Sequence, residues 1–285
     1  MTERTWQIDD VVVPTLLYGT AWKEQRTATL VAQALRMGFR GLDTANQRRH
    51  YHETEVGRAL LAVLQTGTLR REDVFVQTKF TFRWGQDRRL PYDPAAPVAR
   101  QVQQSFDSSL SHLGVDVVDS YLLHAPSVTQ GLGKADIEAW RVMESLHDAG
   151  RVHFLGVSNF SPDQLLTLLR SARVRPTFVQ NRSYASQGWD ASVRTICTRE
   201  GVIYQGFSIL TANQHVLRSA LVHDIANRHR RSAAQVVLRF ALQLGMIALT
   251  GTTSSQHMAD DLATYEFELT PAEMHAIEHA GAALC

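Results

Sequence analysis

The stretch Phe39 to Leu60, F-R-G-L-D-T-A-N-Q-R-R-H-Y-H-E-T-E-V-G-R-A-L, decides the fold. A short apolar run ends in an acid, Asp43, and a tyrosine, Tyr51, follows before a new pattern begins. Over Glu53–Leu64, Val56, Ala59, Leu60 and Val63 fall at i, i+3, i+4 and i+7, one face of a helix. Working outward, the buried run Val74–Lys79 ends in a lysine and the run Val117–His124 ends in a histidine. An acid, a lysine and a histidine thus stand at the C-terminal ends of three separate predicted strands, with a tyrosine just beyond one of them. In a parallel barrel, that face carries the chemistry.

Buried runs alternate with helical patterns along the rest of the chain. The predicted strands are Leu16–Thr20, Gly41–Asp43, Val74–Lys79, Val117–His124, Phe154–Val157, Phe178–Gln180, Val202–Phe207 and Met246–Thr250. Between them, Pro97–Leu113 carries a stripe of Val98, Val102, Phe106, Leu110 and Leu113 that Gly114 can terminate. Ile137–Ala149 buries Ala139, Val142, Met143 and Leu146, and Ser232 to Gln235 reads as a capping box opening a helix to Leu244. Strand–helix alternation implies a parallel sheet, and eight units imply closure into an α/β fold, a single (β/α)8 TIM barrel. No linker or low-complexity tract divides the chain, so residues 1–285 read as one domain. The loops after the second and third predicted strands, Thr44–His52 and Thr81–Ala96, are longer than a minimal βα connection, as lids and pocket walls usually are.

Composition narrows the function classes. The chain has 285 residues, the size of one barrel, and is 44% hydrophobic, which argues against disorder. A net charge of +1 supplies no drive toward nucleic acid or anionic membrane. No apolar run has the length of a membrane span, and the start at Met1 does not read as a signal peptide. Cys197 and Cys285 are too few for a disulfide framework and lack metal-ligand spacing, so no metal is expected. The expectation is a cytoplasmic protein, a monomer or weak homo-oligomer, acting on a small molecule.

Asp43, Tyr51, Lys79 and His124 together suit carbonyl reduction. The oxygen of a carbonyl that accepts hydride must also receive a proton. A tyrosine is a poor acid at neutral pH unless a cation stabilises its phenolate, and Lys79 can be that cation. Asp43 can hold the lysine in place, while His124 can hydrogen-bond the substrate oxygen or help relay the proton. Singly, each residue has a plainer role as cap, surface tyrosine, solvated strand end or core histidine. At the ends of three barrel strands they make a set.

With these blocks in view, the chain resembles the aldo-keto reductase superfamily over roughly residues 15 to 275. The matching blocks include Leu17-Tyr-Gly-Thr20, Asp43-Thr-Ala, Gln77-Thr-Lys79-Phe80, Leu122-Leu-His124, Gly156-Val-Ser-Asn-Phe160 and Ser232 to Phe240. The resemblance implies an oxidoreductase using NADPH, with NADH the alternative, and a tetrad of Asp43, Tyr51, Lys79 and His124. It also implies that Gly19 and Thr20 lie near the nicotinamide ribose with Asp43, and that Ser158, Asn159 and Gln180 hold the carboxamide. Phe207 would stack on the ring, and Ser208 and Leu210 would follow the pyrophosphate. Gly251, Thr252, Thr253, His257, Asp260 and Asp261 would hold the adenosine end, where a helix N-terminus suits phosphate. Trp22, Phe80 and Ala125 would line the substrate pocket.

Three departures stand out. The acid-to-tyrosine spacing usual in the family lands on Arg48, so Tyr51 needs a loop insertion to reach the site. The lysine and arginine that often grip the 2′-phosphate are replaced by Gly251 and His257, which weakens the cationic grip because an ordinary histidine is mostly neutral at neutral pH. Val179 stands where many relatives have asparagine, and Asn181 follows Gln180 instead. Arg48, Arg49, Arg83, Arg88 and Arg89 lie on the two long loops, where they read as solvated or as a grip for an anionic or polyhydroxylated substrate. Two other function classes fit the same fold: a regulatory binding module, as in the potassium-channel β subunits, or non-reductive dehydratase or isomerase chemistry on Tyr51 and His124.

Overall fold

The computed structural model describes residues 3–283, so the start at Met1 and the thiol of Cys285 lie outside the described residues. Eight parallel strands close into a barrel: β3 (Leu16–Gly19), β4 (Gly41–Asp43), β5 (Phe75–Phe80), β6 (Val118–Leu123), β7 (Val152–Ser158), β8 (Phe178–Arg182), β9 (Ile203–Phe207) and β10 (Ile247–Thr250). β10 pairs with both β3 and β9, which completes the ring. All eight expected strands are present, with ends shifted by one or two residues, where ladder pairing rather than hydrophobicity sets the boundary.

An antiparallel hairpin, β1 (Thr5–Ile8) with β2 (Val11–Pro14), precedes the barrel and has no counterpart in the sequence reading. Its Trp6, Ile8, Val11 and Val13 pack with Leu17, Phe75, Leu122, Phe154, Phe178 and Ile247. Except for Leu122, these are inward positions in the first half of their strands, so the hairpin closes the N-terminal end of the barrel. Chemistry is left to the opposite end.

Helices α1 (Thr27–Met37), α2 (Glu53–Leu64), α3 (Val98–Leu113), α4 (Lys134–Asp148), α5 (Pro162–Ser171) and α6 (Ala191–Glu200) follow β3 to β8 in turn. The short α7 (Gln214–Leu217), α8 (Ala220–His229) and α9 (Ala233–Gln243) follow β9, and α10 (Ser255–Leu262) and α11 (Pro271–Ala283) follow β10. The capping box at Ser232 is formed: its side chain accepts from the Gln235 backbone N–H at 3.2 Å while Gln235 Oε1 accepts from the Ser232 N–H at 3.0 Å. Gly114 ends α3 in the left-handed conformation. α2 approaches α3 through Gly57, where any Cβ would overlap the His112 carbonyl and Leu113 Cα.

Glu273 ties α11 to the barrel wall. Its carboxylate accepts from the Thr270 backbone N–H at 2.9 Å and lies 3.0 Å from Arg228 and 3.1 Å from His229 on α8. Burial opposes the charge, but the Thr270 N–H and the His229 and Arg228 partners outweigh it and hold the carboxyl at about 2, below its ordinary 4.5. A depressed folded-state value stabilises the fold above the unfolded value and is lost as pH falls through the folded one. Glu273→Gln is therefore expected to cost about 1–2 kcal/mol at neutral pH, the share of the exposed Arg228 being screened by water. Urea melts across a pH series check this: the gap to wild type should close between pH 4.5 and 2. A gap that stayed constant would show that the carboxylate contributes nothing through its charge.

Candidate active site

Alternation along β5 builds the centre of the site. Phe75 and Val76 join different apolar clusters, so Phe75, Gln77 and Lys79 point into the barrel while Val76, Thr78 and Phe80 point out. Lys79 is fully buried, with Nζ 2.6 Å from Asp43 Oδ1 and 2.8 Å from the Thr44 carbonyl. Burial pulls the Lys79 pKa down, against the opposing pull of Asp43.

Asp43 Oδ1 also accepts from Gln77 Nε2 at 2.7 Å and Gln180 Nε2 at 2.9 Å. Both amides give a second N–H to Gln205 Oε1, at 2.8 and 2.9 Å, and Gln205 Nε2 returns one to Gln77 Oε1 at 3.0 Å. Because Asp43 serves here only as an acceptor, Gln77 and Gln180 must turn their amide nitrogens toward it. Gln180 Oε1 therefore has no partner among the described residues and is left to the cavity.

The β4–α2 loop folds so that Tyr51, not Arg48, reaches this centre. The Tyr51 N–H bonds the Gln47 carbonyl at 3.0 Å, and its ring centroid lies 5.4 Å from Lys79 Nζ and 5.9 Å from the His124 ring. Arg48 turns away toward Glu24, 3.8 Å distant. One expectation fails. Burial, and then the Asp43 carboxylate, push the phenol pKa above its ordinary 10 rather than below it. The Tyr51 hydroxyl is thus held in its protonated form. His124 pairs Nδ1 with the Thr81 hydroxyl at 2.7 Å, and burial, Lys79 and His50 hold its pKa well below 6.5. The imidazole is neutral at neutral pH.

These groups open on a cavity of about 810 Å³. Asp43, Tyr51, His124, Trp22 and Ala125 line it, with Gly19, Ser158, Asn159 and Gln180. Phe207, Ser208 and Leu210 join from beyond β9, and Gly251, Thr252, His257, Asp260 and Asp261 from beyond β10. Burial raises the Asp261 carboxyl to about 6, although the Thr250 hydroxyl bonds it at 2.6 Å. Trp22, Asn159 and Ser208 hold left-handed backbones, φ 61°, 59° and 56°. Such strain in residues other than glycine gathers at functional sites.

Four expected residues are not on the wall, among them the fully buried Lys79. Phe80 follows inward-facing Lys79, so it faces outward and packs on Phe82 and Tyr92. Thr20 is buried, with its hydroxyl on the Asp43 carbonyl at 3.0 Å. Thr253 is exposed beside Arg26. Of the long-loop arginines, Arg48 and Arg89 border a neighbouring smaller cavity and pair with Glu24 and Asp87, and none lines the large one. Asn181, the residue displaced from its expected place, braces the backbone of Phe160 at 2.8 and 3.1 Å.

The sequence reading missed Lys23, Arg182, Trp84, Gln47 and His50, all of which line the cavity. Lys23 is the most informative. The residue is 8% exposed, and its ammonium bonds the Gly251 carbonyl and has no carboxylate partner among the described residues. A Cβ on Gly251 would lie 3.3 Å from it. A lysine three residues beyond a barrel strand was the available signal. Among the described residues no cluster of His, Cys, Asp or Glu could hold a metal, and no helix is long and apolar enough to cross a membrane.

A sequence model of the Aldo/keto reductase family matches residues 10–282. The chain belongs to this family. It is 31% identical to the oxidoreductase YtbE of Bacillus subtilis (strain 168), over 87% of this chain and 81% of the relative. Morphine 6-dehydrogenase of Pseudomonas putida is 29% identical over 94% and 88%. The crystal structure of an aldo/keto reductase from Brucella melitensis superposes with a TM-score of 0.83 at 26% identity, covering 99% of each chain. This aldo/keto reductase is therefore an oxidoreductase, an enzyme rather than a bare regulatory barrel.

Proposed function

We propose that this reductase converts an aldehyde or ketone to an alcohol with NADPH or NADH, Tyr51 supplying the proton. The observation that carries the reading is the meeting of Tyr51, Lys79, Asp43 and His124 at the open end of the barrel. A nicotinamide bound in the cavity would supply the hydride. Tyr51 donates its proton to the substrate oxygen, Lys79 stabilises the phenolate left behind, and Asp43 fixes Lys79. Neutral His124 hydrogen-bonds the same oxygen and orients the carbonyl.

The residues present suit that cofactor. Gln180 Oε1 is a free acceptor for a carboxamide N–H, with Ser158 and Asn159 beside it on the wall. Phe207 offers a ring face, and Arg182 lies 5.2 Å from its centroid. Ser208 and Leu210 would follow the pyrophosphate. Gly251, Thr252, His257, Asp260 and Asp261 border the adenosine end, where α10 presents its N-terminus. Lys23 stands in the space that Gly251 leaves, a buried cation awaiting an anion. The same reading assigns one barrel domain to the cytoplasm, supported by the free, buried thiol of Cys197. Dehydratase or isomerase chemistry on Tyr51 and His124 would need no such cofactor wall.

Fluorescence titration with NADPH and NADH tests the reading. Both should bind, and Lys23→Met should weaken NADPH by about tenfold, the loss of one charge-assisted hydrogen bond, with a smaller effect on NADH. His257→Arg should tighten NADPH by a similar factor. Binding of neither dinucleotide would refute the reductase reading. Wild-type NADPH affinity in Lys23→Met would move the phosphate grip elsewhere.

A further inference from the structure

Glu53 is a buried carboxylate that the reaction above leaves unused. It opens α2, two residues after Tyr51, and is 4% exposed. Its Oε1 accepts from the Thr78 hydroxyl, and its Oε2 lies 3.2 Å from His112 Nδ1 on α3. No lysine or arginine forms an ion pair with it among the described residues. A carboxylate only accepts, so Thr78 donates and His112 Nδ1 carries its hydrogen. Burying a charge without a cation is unfavourable unless its oxygens are bonded, and here both are.

The two ends of the β4–α2 loop are held to β5 in different ways. At the start, the Thr44 N–H bonds the Gln77 carbonyl at 2.9 Å and the Asn46 N–H bonds the Lys79 carbonyl at 3.3 Å. The far end carries Tyr51 and has no backbone bond to β5 among the described residues. Tyr51 is tied there only to its own loop, its N–H to Gln47 and its carbonyl to Arg48 Nη1 at 3.3 Å. On one side it borders the smaller cavity of about 370 Å³, shared with Glu53 and His112, so packing there does not fix it. Glu53 makes the missing link. Thr78 precedes Lys79 on β5 and faces the opposite way, so its bond to Glu53 fastens the Tyr51 end of the loop at the level of the ammonium.

We propose that Glu53 is a positioning residue for the proton transfer: through Thr78 it sets where the Tyr51 hydroxyl stands relative to Lys79. The inference rests on the reductase reading above and adds a residue that lies off the wall of the large cavity. Misplacing a reacting group by about 1 Å can lower a rate about a hundredfold, so one hydrogen bond remote from the chemistry has that leverage.

The test is stopped-flow single-turnover oxidation of bound NADPH, and separately of bound NADH, by 4-nitrobenzaldehyde with the full chain. Thr78→Val removes the hydroxyl with little change of shape and should slow the step by about tenfold to a hundredfold. Dinucleotide affinity by fluorescence titration should stay at the wild-type level. The solvent isotope effect should rise above that of wild type, because the proton then leaves a misplaced donor. Thr78→Ser restores the hydroxyl and should recover most of the rate. Glu53→Ala should slow the step at least as much, and the double variant no further, because both changes break one link. If Glu53→Ala does not fold, Thr78→Val and Thr78→Ser decide alone. A wild-type rate or an unchanged isotope effect in Thr78→Val, a parallel loss of dinucleotide affinity, no recovery in Thr78→Ser, or additive losses in the double variant overturns the positioning role and leaves the reductase reading standing. Oxidation of neither dinucleotide by the wild type overturns both.

Discussion

Tyr51→Phe lowers the rate of carbonyl reduction by about a hundredfold to ten-thousandfold, the usual contribution of a positioned proton donor. Only the phenol hydroxyl is removed, and it makes no hydrogen bond among the described residues, so fold and dinucleotide affinity should stay at wild-type levels. The two titrating neighbours also fix the pH profile. Burial keeps Tyr51 protonated past pH 10, and burial keeps His124 neutral down through pH 6.5. The wild-type reduction rate should therefore stay flat between pH 6.5 and 10. Stopped-flow reduction at saturating cofactor measures both. Wild-type turnover in Tyr51→Phe would remove Tyr51 as the acid, and a limb centred near pH 6.5 would mean His124 titrates in function.

Lys79→Met is expected to strike both activity and stability. Without the ammonium, nothing stabilises the phenolate as it forms, and turnover should drop by about a hundredfold or more. The substitution also strands Asp43. A buried ion pair broken on one side costs about 3–5 kcal/mol, and the lower end applies because Gln77 and Gln180 still donate to the same carboxylate oxygen. Denaturant melts should show that loss, and Asp43→Asn with Lys79→Met should recover part of it, since no unpaired charge then remains. A Lys79→Met protein as stable as wild type would show that the pair is not what holds this layer of the barrel.

Local patterns reported the strands, the helices α2, α3, α4 and α9 and the chemical types at the strand ends, because each is encoded within a few neighbouring residues. Period-2 and period-3.6 apolar spacing, the Ser232 capping box and the glycine at the end of α3 all carried over to the structure. The family, too, was legible, since its blocks recur in order along the chain.

Tertiary structure decided what depends on distant partners. Tyr51 is the one tyrosine between Asp43 and α2, but only the folded loop brings it to Lys79 and turns Arg48 away. The direction of the Tyr51 pKa shift needed burial and the position of Asp43, neither of which is a sequence property. Phe80 fails as a pocket residue because inward-facing Lys79 forces its neighbour outward, a parity that the predicted strand already contained and that the family resemblance overrode. Lys23, by contrast, carries in sequence only its place beyond a barrel strand: its ammonium gains meaning from Gly251, more than two hundred residues away, and only barrel closure between β10 and β3 brings them together. Sequence alone thus determined which groups stand at each strand end. Packing decided which of them share a cavity, because side-chain direction and long-range closure belong to the whole barrel.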